Sequence, residues 1–263
     1  MKTTLITGAS GGIGEVFART LAAEKHNLFL VARSENKLKQ LCDELSRKHN
    51  IKANYITADL TKYGSDELIY NQSVKLGLEI NMLINNAGIG SLGDFADLSL
   101  ISELDLMTLN MQALVALTHR FIPLMRQRKS GAIINVGSGA GFQPVPYMAT
   151  YAASKAFVGS FSEAIAEENR PFNIKVVLMA PGITDTNFFS AASIRSHQMK
   201  FFGSGGKLDT PEEVVQTALE GLKKGQTIVV AKRNRTLSRI INFIPNSVLT
   251  KQIAKGYRAT LKN

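Results

Sequence analysis

The sequence predicts an α/β fold: a doubly wound parallel sheet in a single domain, followed by a basic amphipathic helical extension at the C-terminal side. Three observations predict it. Short strands that are apolar on both faces recur along the chain, amphipathic stretches separate them, and a glycine-rich turn joins the first strand to the first helix. Strands without a polar face belong in a sheet covered on both sides. Repeated strand–helix units then imply right-handed crossovers and a parallel sheet. The regularity of the alternation weighs against a mixed α+β arrangement.

Residues 3–7 read as the first strand and 13–24 as the first helix. Asn27–Ala32 (Asn-Leu-Phe-Leu-Val-Ala) is a nearly continuous apolar strand. Glu35–His49 is amphipathic, with Leu38, Leu41, Cys42 and Leu45 along one side. Residues 53–58, 82–85, 132–136 and 174–179 are further short strands, 150–169 is a helix, and 227–230 is the last strand. Thr210-Pro211-Glu212-Glu213 offers an N-cap, a proline in the first turn and a capping-box glutamate. Gly225, after Lys223 and Lys224, is a C-terminal stop. Residues 183–209 fit no regular element. They hold Phe188, Phe189, Met199, Phe201 and Phe202, then Gly203-Ser204-Gly205-Gly206. An apolar segment with a glycine hinge suits a lid over a pocket; the plainer alternative is a loop with a short core helix.

Length and composition set the limits. The 263 residues suffice for one large core and demand no second domain, so residues 1–232 form the sheet domain and 233–263 the extension. No run of about 18 apolar residues occurs, so no helix is expected to cross a membrane. The first residues enter a strand at once, and the expectation is a chain without a secretory or transit peptide. The single cysteine, Cys42, excludes an internal disulfide and suits a reducing, cytoplasmic setting. Four scattered histidines show no metal-ligand spacing, and no metal is expected. The net charge of +10 is unevenly spread: residues 221–263 carry ten Lys and Arg and no Asp or Glu, and the rest is balanced.

Thr7-Gly8-Ala9-Ser10-Gly11-Gly12-Ile13-Gly14 links the first strand to the first helix. Glycines let a backbone turn sharply and approach a phosphate, and a helix N-terminus presents open N–H groups. Gly8, Ser10, Gly12, Ile13 and Gly14 are therefore candidate phosphate-binding residues. The glycines fit either T-G-x-x-x-G-x-G or G-x-x-G-x-x-G and do not choose between them. Arg33 follows the second strand. A carboxylate there would suit the ribose hydroxyls of NAD; an arginine suits the 2′-phosphate of NADP.

Tyr151 and Lys155 stand four apart at the start of a helix, on one face. A tyrosine of pKa about 10 is a poor acid–base group at neutral pH, and a nearby ammonium is expected to lower that value. Ser138 follows the strand at 132–136, at the carboxyl edge where open sheets bind ligands. Its hydroxyl can hold a carbonyl oxygen for proton transfer.

These residues resemble the short-chain dehydrogenase/reductase family, in its short single-domain branch, over about residues 3–230. The matches come in family order. Thr7–Gly14 resembles the cofactor glycine motif, Asp59-Leu60 the pair beside the adenine, and Asn85-Asn86-Ala87-Gly88 the motif after the fourth strand. Asn110 resembles the helix asparagine that holds a water in the proton relay. Ser138, Tyr151 and Lys155 resemble the catalytic serine, tyrosine and lysine. Pro181-Gly182 with Ile183, Thr184 and Thr186 resembles the segment around the nicotinamide carboxamide and the diphosphate. The resemblance implies a Rossmann-like fold, NADP(H) as cofactor, and interconversion of a carbonyl and an alcohol. It implies that Tyr151 moves the proton, Lys155 lowers the tyrosine pKa and holds the nicotinamide ribose, Ser138 orients the oxygen and Asn110 maintains the relay. It further implies a homo-oligomer.

The phenylalanines of residues 183–209 favour an apolar ketone or aldehyde as substrate. The competing reading is a non-catalytic NADP(H)-binding regulatory or scaffold protein on the same fold; the intact Ser138, Tyr151 and Lys155 weigh against it. In the tail, Leu237, Ile240, Ile241 and Ile244 form one apolar helical stripe ended by Pro245. Val248, Leu249, Ile253, Tyr257 and Leu261 suggest a second, looser helix among basic residues. Three readings stand: packing on the domain or a sister subunit, contact with an anionic membrane surface, or help in binding an anionic substrate such as an acyl-CoA. Nucleic acid is not an expected partner, because no binding motif accompanies the charge.

Overall fold

The strands are β1 (Lys2–Thr7), β2 (Asn27–Ala32), β3 (Ala53–Thr57), β4 (Glu79–Asn85), β5 (Gly131–Val136), β6 (Ile174–Ala180) and β7 (Ile228–Val230). The helices are α1 (Gly12–Ala23), α2 (Glu35–His49), α3 (Ser65–Lys75), α4 (Leu100–Met107), α5 (Ala113–Arg128), α6 (Ala149–Asn169), α7 (Pro211–Lys223) and α8 (Asn246–Leu261). These come from a computed structural model that describes residues 2–184, 186, 188, 208–230 and 245–261. The strands form one sheet in the order β3-β2-β1-β4-β5-β6-β7, and every pairing is parallel.

Alternate residues of each strand enter different cores, which is why the strands read as apolar throughout. Ile6, Leu28, Leu30, Ile84 and Ile134 face Phe17 and Leu21 of α1, Leu38 of α2 and Val214 of α7. Their neighbours Leu5, Phe29, Val31, Leu83 and Ile133 face Ile69 of α3, Phe121 of α5 and Ile165 of α6. The doubly wound fold expected from the sequence is the observed one. β4 starts earlier than the residues 82–85 expected of it, because Glu79 and Ile80 pair with Lys2 and Thr3 ahead of a register shift.

Two helical regions had no clear stripe to read. Only Ile69 and Ser73 of α3 are buried, while Leu68, Val74 and Leu76 are exposed. The second is the run Leu100–Arg128, where α4 passes through a π-helical turn, Thr108–Gln112, into α5. At 29 residues, it is long and apolar enough, by length and composition only, to cross a membrane. One side of it nevertheless packs on the sheet through Leu117, Phe121 and Met125. At α7, Thr210 and Glu213 form the capping box in both directions, at 3.1 Å each, and Gly225 follows with φ of 68°.

The order of strands reverses between β1 and β4. Strands β2 and β3 lie to one side of β1, and β4 to β7 lie to the other. Their connecting loops therefore diverge, leaving a crevice at the carboxyl ends of β1 and β4, where open sheets bind ligands.

Candidate active site

The crevice opens into a cavity of about 650 Å³. Its first wall is the glycine turn. Gly8 and Gly12 have φ of 65° and 56°, in the left-handed region that glycine occupies without strain. Gly14 packs against the Gly8 carbonyl and the Asn86 side chain, leaving no room for a Cβ. No side chain caps the start of α1, so its first N–H groups are left open to a ligand. Gly8, Ser10, Gly12 and Ile13 all line the cavity.

Thr7 and Asn86 weld this turn to the end of β4. Thr7 Oγ1 accepts hydrogen bonds from the backbone N–H groups of Asn86 and Ala87, both at 3.0 Å. Asn86 Nδ2 donates to the carbonyls of Thr7 and Gly8, at 2.9 and 3.3 Å. Asn86, Ala87 and Gly88 consequently stand in the wall. Asn85 points elsewhere, donating to Thr118 and to Asn135 inside the sheet.

At the far end of this half, Arg33, Asp59 and Leu60 lie outside the cavity wall. Arg33 is exposed and does not line the cavity; Lys37, four residues on in α2, does. Asp59 is held by the Thr61 N–H and hydroxyl at 3.0 and 2.8 Å. Those bonds, helped by the charge of Arg33, keep its carboxyl below its usual range. Leu60 is a core residue. Asp59 and Leu60 therefore stay out of the cavity wall. Lys37 escaped the sequence reading because it looks like any exposed helix lysine; only its spacing from Arg33 could have marked it.

The chemical end hangs on β5 and α6. Ser138 follows β5 in extended conformation and caps a 3₁₀ turn, Gly139–Phe142, through Ala140 N–H at 3.1 Å. The Ser138 hydroxyl stands close enough to Tyr151 to favour its phenolate. Lys155 lies on the same face of α6 as Tyr151, its Nζ 5.9 Å from the tyrosine ring centre and donating to the Val136 carbonyl at 2.9 Å. All three line the cavity. Burial pushes the Tyr151 phenol up to about 12, against the opposing pull of the Ser138 hydroxyl. Burial pushes Lys155 down to about 8. The expected lowering of the tyrosine by the ammonium is thus absent here: desolvation dominates.

Asn110 sits in the π-helical turn, a feature that often re-aims functional side chains. Its Oδ1 accepts from Ile89 N–H at 3.0 Å, and its Nδ2 donates to the Ile89 carbonyl at 2.9 Å and to Ser154 Oγ at 3.1 Å. Ser154 in turn donates to the Tyr151 carbonyl at 2.7 Å. Asn110 therefore ties the Asn86–Gly88 strand end to the first turn of α6. It does not itself line the cavity.

Pro181, Gly182, Ile183, Thr184 and Thr186 also line the cavity, with Thr186 beside Gly12 of the glycine turn. Pro181 accepts a backbone bond from Gly139 at 2.9 Å, and Thr184 pairs with Asp209 as an isolated bridge. Beyond them the wall turns apolar through Phe142, Val145, Met148 and Phe188. Most of the expected lid, and the stripe from Leu237 to Ile244, lie outside the described residues. The second tail helix is described. α8 contributes Gln252 and Ile253 to the cavity. Tyr257 is buried beside Tyr147, ring centres 5.5 Å apart, and Arg258 Nε donates to the Tyr147 hydroxyl at 3.1 Å. Ile253 and Tyr257 thus pack on the body of the molecule.

The short chain dehydrogenase family model matches residues 2–196. The chain belongs to the short-chain dehydrogenase family. It is similar to a very-long-chain 3-oxoacyl-CoA reductase of Phaeosphaeria nodorum, 38% identical over 176 residues, covering 65% of this chain and 52% of that protein. It is also similar to a 17-beta-hydroxysteroid dehydrogenase type 3 of Danio rerio, 30% identical over 257 residues, covering 95% and 80%. The first of these short-chain dehydrogenases is one of several matched relatives of which this chain spans about half the length. Among solved structures, a short-chain dehydrogenase from Sphingobium yanoikuyae in complex with NADPH superposes with a TM-score of 0.81, at 32% identity over 88% of each chain.

Proposed function

We propose that the protein is an NADP(H)-dependent oxidoreductase that reduces a lipophilic ketone or aldehyde to an alcohol. The observation that carries this is the meeting of Ser138, Tyr151 and Lys155 in one cavity whose other end is the glycine turn. The turn fits a dinucleotide diphosphate. Two glycines in left-handed conformation and a helix start without a side-chain cap leave backbone N–H groups for its oxygens. Lys37 in the wall, with Arg33 nearby, supplies cationic charge suited to an additional phosphate, and the NADPH bound by the Sphingobium relative agrees with that.

When bound, the dinucleotide supplies the hydride. The chain supplies position and a proton. The Ser138 hydroxyl holds the substrate oxygen beside the phenol. Tyr151, protonated throughout the neutral range, donates its Oη proton to that oxygen. Lys155, fixed by the Val136 carbonyl, sets a positive charge beside the phenolate this leaves. Phe142, Val145, Met148, Phe188 and Ile253 give the substrate an apolar bed, in keeping with the fatty-acyl and steroid substrates named for the two relatives.

The test is titration with NADPH and NADH, then oxidation rates with a panel of long-chain and polycyclic ketones and aldehydes. NADPH is expected to bind more tightly than NADH. Lys37→Glu together with Arg33→Asp is expected to narrow that preference by about tenfold, the effect of one lost charge-assisted contact of about 1.4 kcal/mol. Tight binding without turnover across the panel would instead favour a regulatory protein.

A further inference from the structure

Tyr147 stands where a turn calls for glycine. The Met148 N–H donates to the Val145 carbonyl at 3.1 Å, closing a turn over Val145-Pro146-Tyr147-Met148. Proline confines the second residue of the turn to a negative φ, while Tyr147 has φ of 68°. That combination is a type II turn, whose third position ordinarily holds glycine or asparagine. Among the described residues, the other non-glycine positions with positive φ are Lys25, Asn50, Lys129 and Asn173. Each of those closes a helical segment, where a left-handed residue is usual. Of these positions, Tyr147 alone leads into a helix, α6. A bulky residue keeps such a φ only where its surroundings hold it there.

Helix α8 and one loop supply the hold. The Tyr147 ring lies 5.5 Å from the buried ring of Tyr257, and its hydroxyl accepts a hydrogen bond from Arg258 Nε at 3.1 Å. Its carbonyl accepts from the Gly93 N–H at 2.9 Å. The side chain therefore engages α8 and is not part of the cavity wall, whereas Val145 and Met148, the two corners of the turn, both line the cavity. Met148 is also the N-cap of α6, and its carbonyl accepts from the Ala152 N–H at 2.8 Å, one residue beyond Tyr151. A glycine would make the same turn without backbone cost, but it would leave α8 nothing to grip.

Resting on the reductase reading above, we propose that Tyr147 is a positioning residue through which α8 fixes the substrate wall at Val145 and Met148. Released from α8, Tyr147 takes an ordinary negative φ, the turn opens, and those two side chains shift. The glycine turn at the other end of the cavity keeps its own hydrogen bonds to the end of β4 and stays as it is. The C-terminal helix thus takes part in choosing the substrate through a residue that does not touch it.

The experiment compares the full-length wild type with Tyr147→Phe, Tyr147→Gly, Tyr147→Val, Tyr257→Ala and the double variant Tyr147→Gly/Tyr257→Ala. The values of kcat and KM are measured with NADPH for a compact and a polycyclic ketone, together with direct binding of each ketone and of NADPH. Phenylalanine keeps the ring on Tyr257 and glycine keeps the turn, so both variants should stay within about threefold of wild type on either ketone. Valine, branched at Cβ, cannot hold the positive φ, and KM for the polycyclic ketone should rise about tenfold while the compact ketone and NADPH are little affected. The deciding result is a rescue: Tyr147→Gly should recover most of what Tyr257→Ala loses on the polycyclic ketone, because a glycine turn needs no grip. A merely structural residue would leave the ratio of the two KM values as in wild type and give additive losses in the double variant, and either result overturns the proposal. Should Tyr147→Val fail to bind NADPH, the rescue alone decides. If no ketone is turned over, the reductase reading fails, and the ratio of the two ketones' binding constants decides the role of Tyr147.

Discussion

The two ends of the cavity are built in different ways. The dinucleotide end is made largely of backbone, from residues 7–14 and 86–88, which adjoin because β1 and β4 are neighbours in the sheet. Little there depends on side-chain choice beyond glycine, Thr7, Asn86 and the cation Lys37. The carbonyl end is made of side chains from the turn after β5, from α6, from Phe188 and from α8. Its parts are far apart in sequence and meet only in the folded chain. One end suits a ligand common to a large family; the other is where the proposed function puts the substrate.

Substitutions can separate the two ends. The largest effect is expected from Tyr151→Phe, which keeps the ring against Phe188, 5.9 Å between centres, and removes only the hydroxyl. Turnover should fall roughly a hundred- to ten-thousand-fold, with NADPH affinity little changed in an isothermal titration. Substantial retained turnover would mean that another group gives the proton.

Gly14→Ala attacks the other end. Its Cβ would press on the Gly8 carbonyl and on Asn86 Nδ2, and both belong to the welded pair of strand ends. NADPH affinity should drop about tenfold or more, as overpacking of about 1–3 kcal/mol implies. Unaltered affinity would show that the turn is looser than its hydrogen bonds suggest.

Tyr257→Ala is expected to have the smallest effect and the most selective one. It removes the buried ring that seats α8 beside Tyr147. The value of kcat/KM for bulky ketones should fall about tenfold, corresponding to about 1.4 kcal/mol, with NADPH affinity unaffected. An equal loss of NADPH affinity would tie α8 to the whole cavity and erase the contrast between its ends.

The same contrast explains what could be read from the chain. Gly8, Gly12, Asn86, Ser138, Tyr151 and Lys155 are legible because each sits at a strand end or helix start that fixes its direction. The sheet is legible because residues such as Leu5 and Ile6 feed two cores in turn. Arg33 was legible as a cation after β2, whereas Lys37, four residues on in α2, lines the cavity and gave no separate signal. Gln143 and Gln252 gave no signal, because an amide in a loop or on a polar helix face resembles a solvated one. Helix α3 gave little signal for a related reason: Leu68 and Val74 are exposed and only Ile69 and Ser73 are buried, so no apolar stripe forms.

The seat of α8 also orders events during synthesis. Ribosomes deliver the amino-terminal parts first, and folding follows in that direction. The glycine turn, Ser138, Tyr151 and Lys155 are all synthesised before Ile253 and Tyr257. The segment that closes one side of the chamber is therefore delivered after the residues of its other walls.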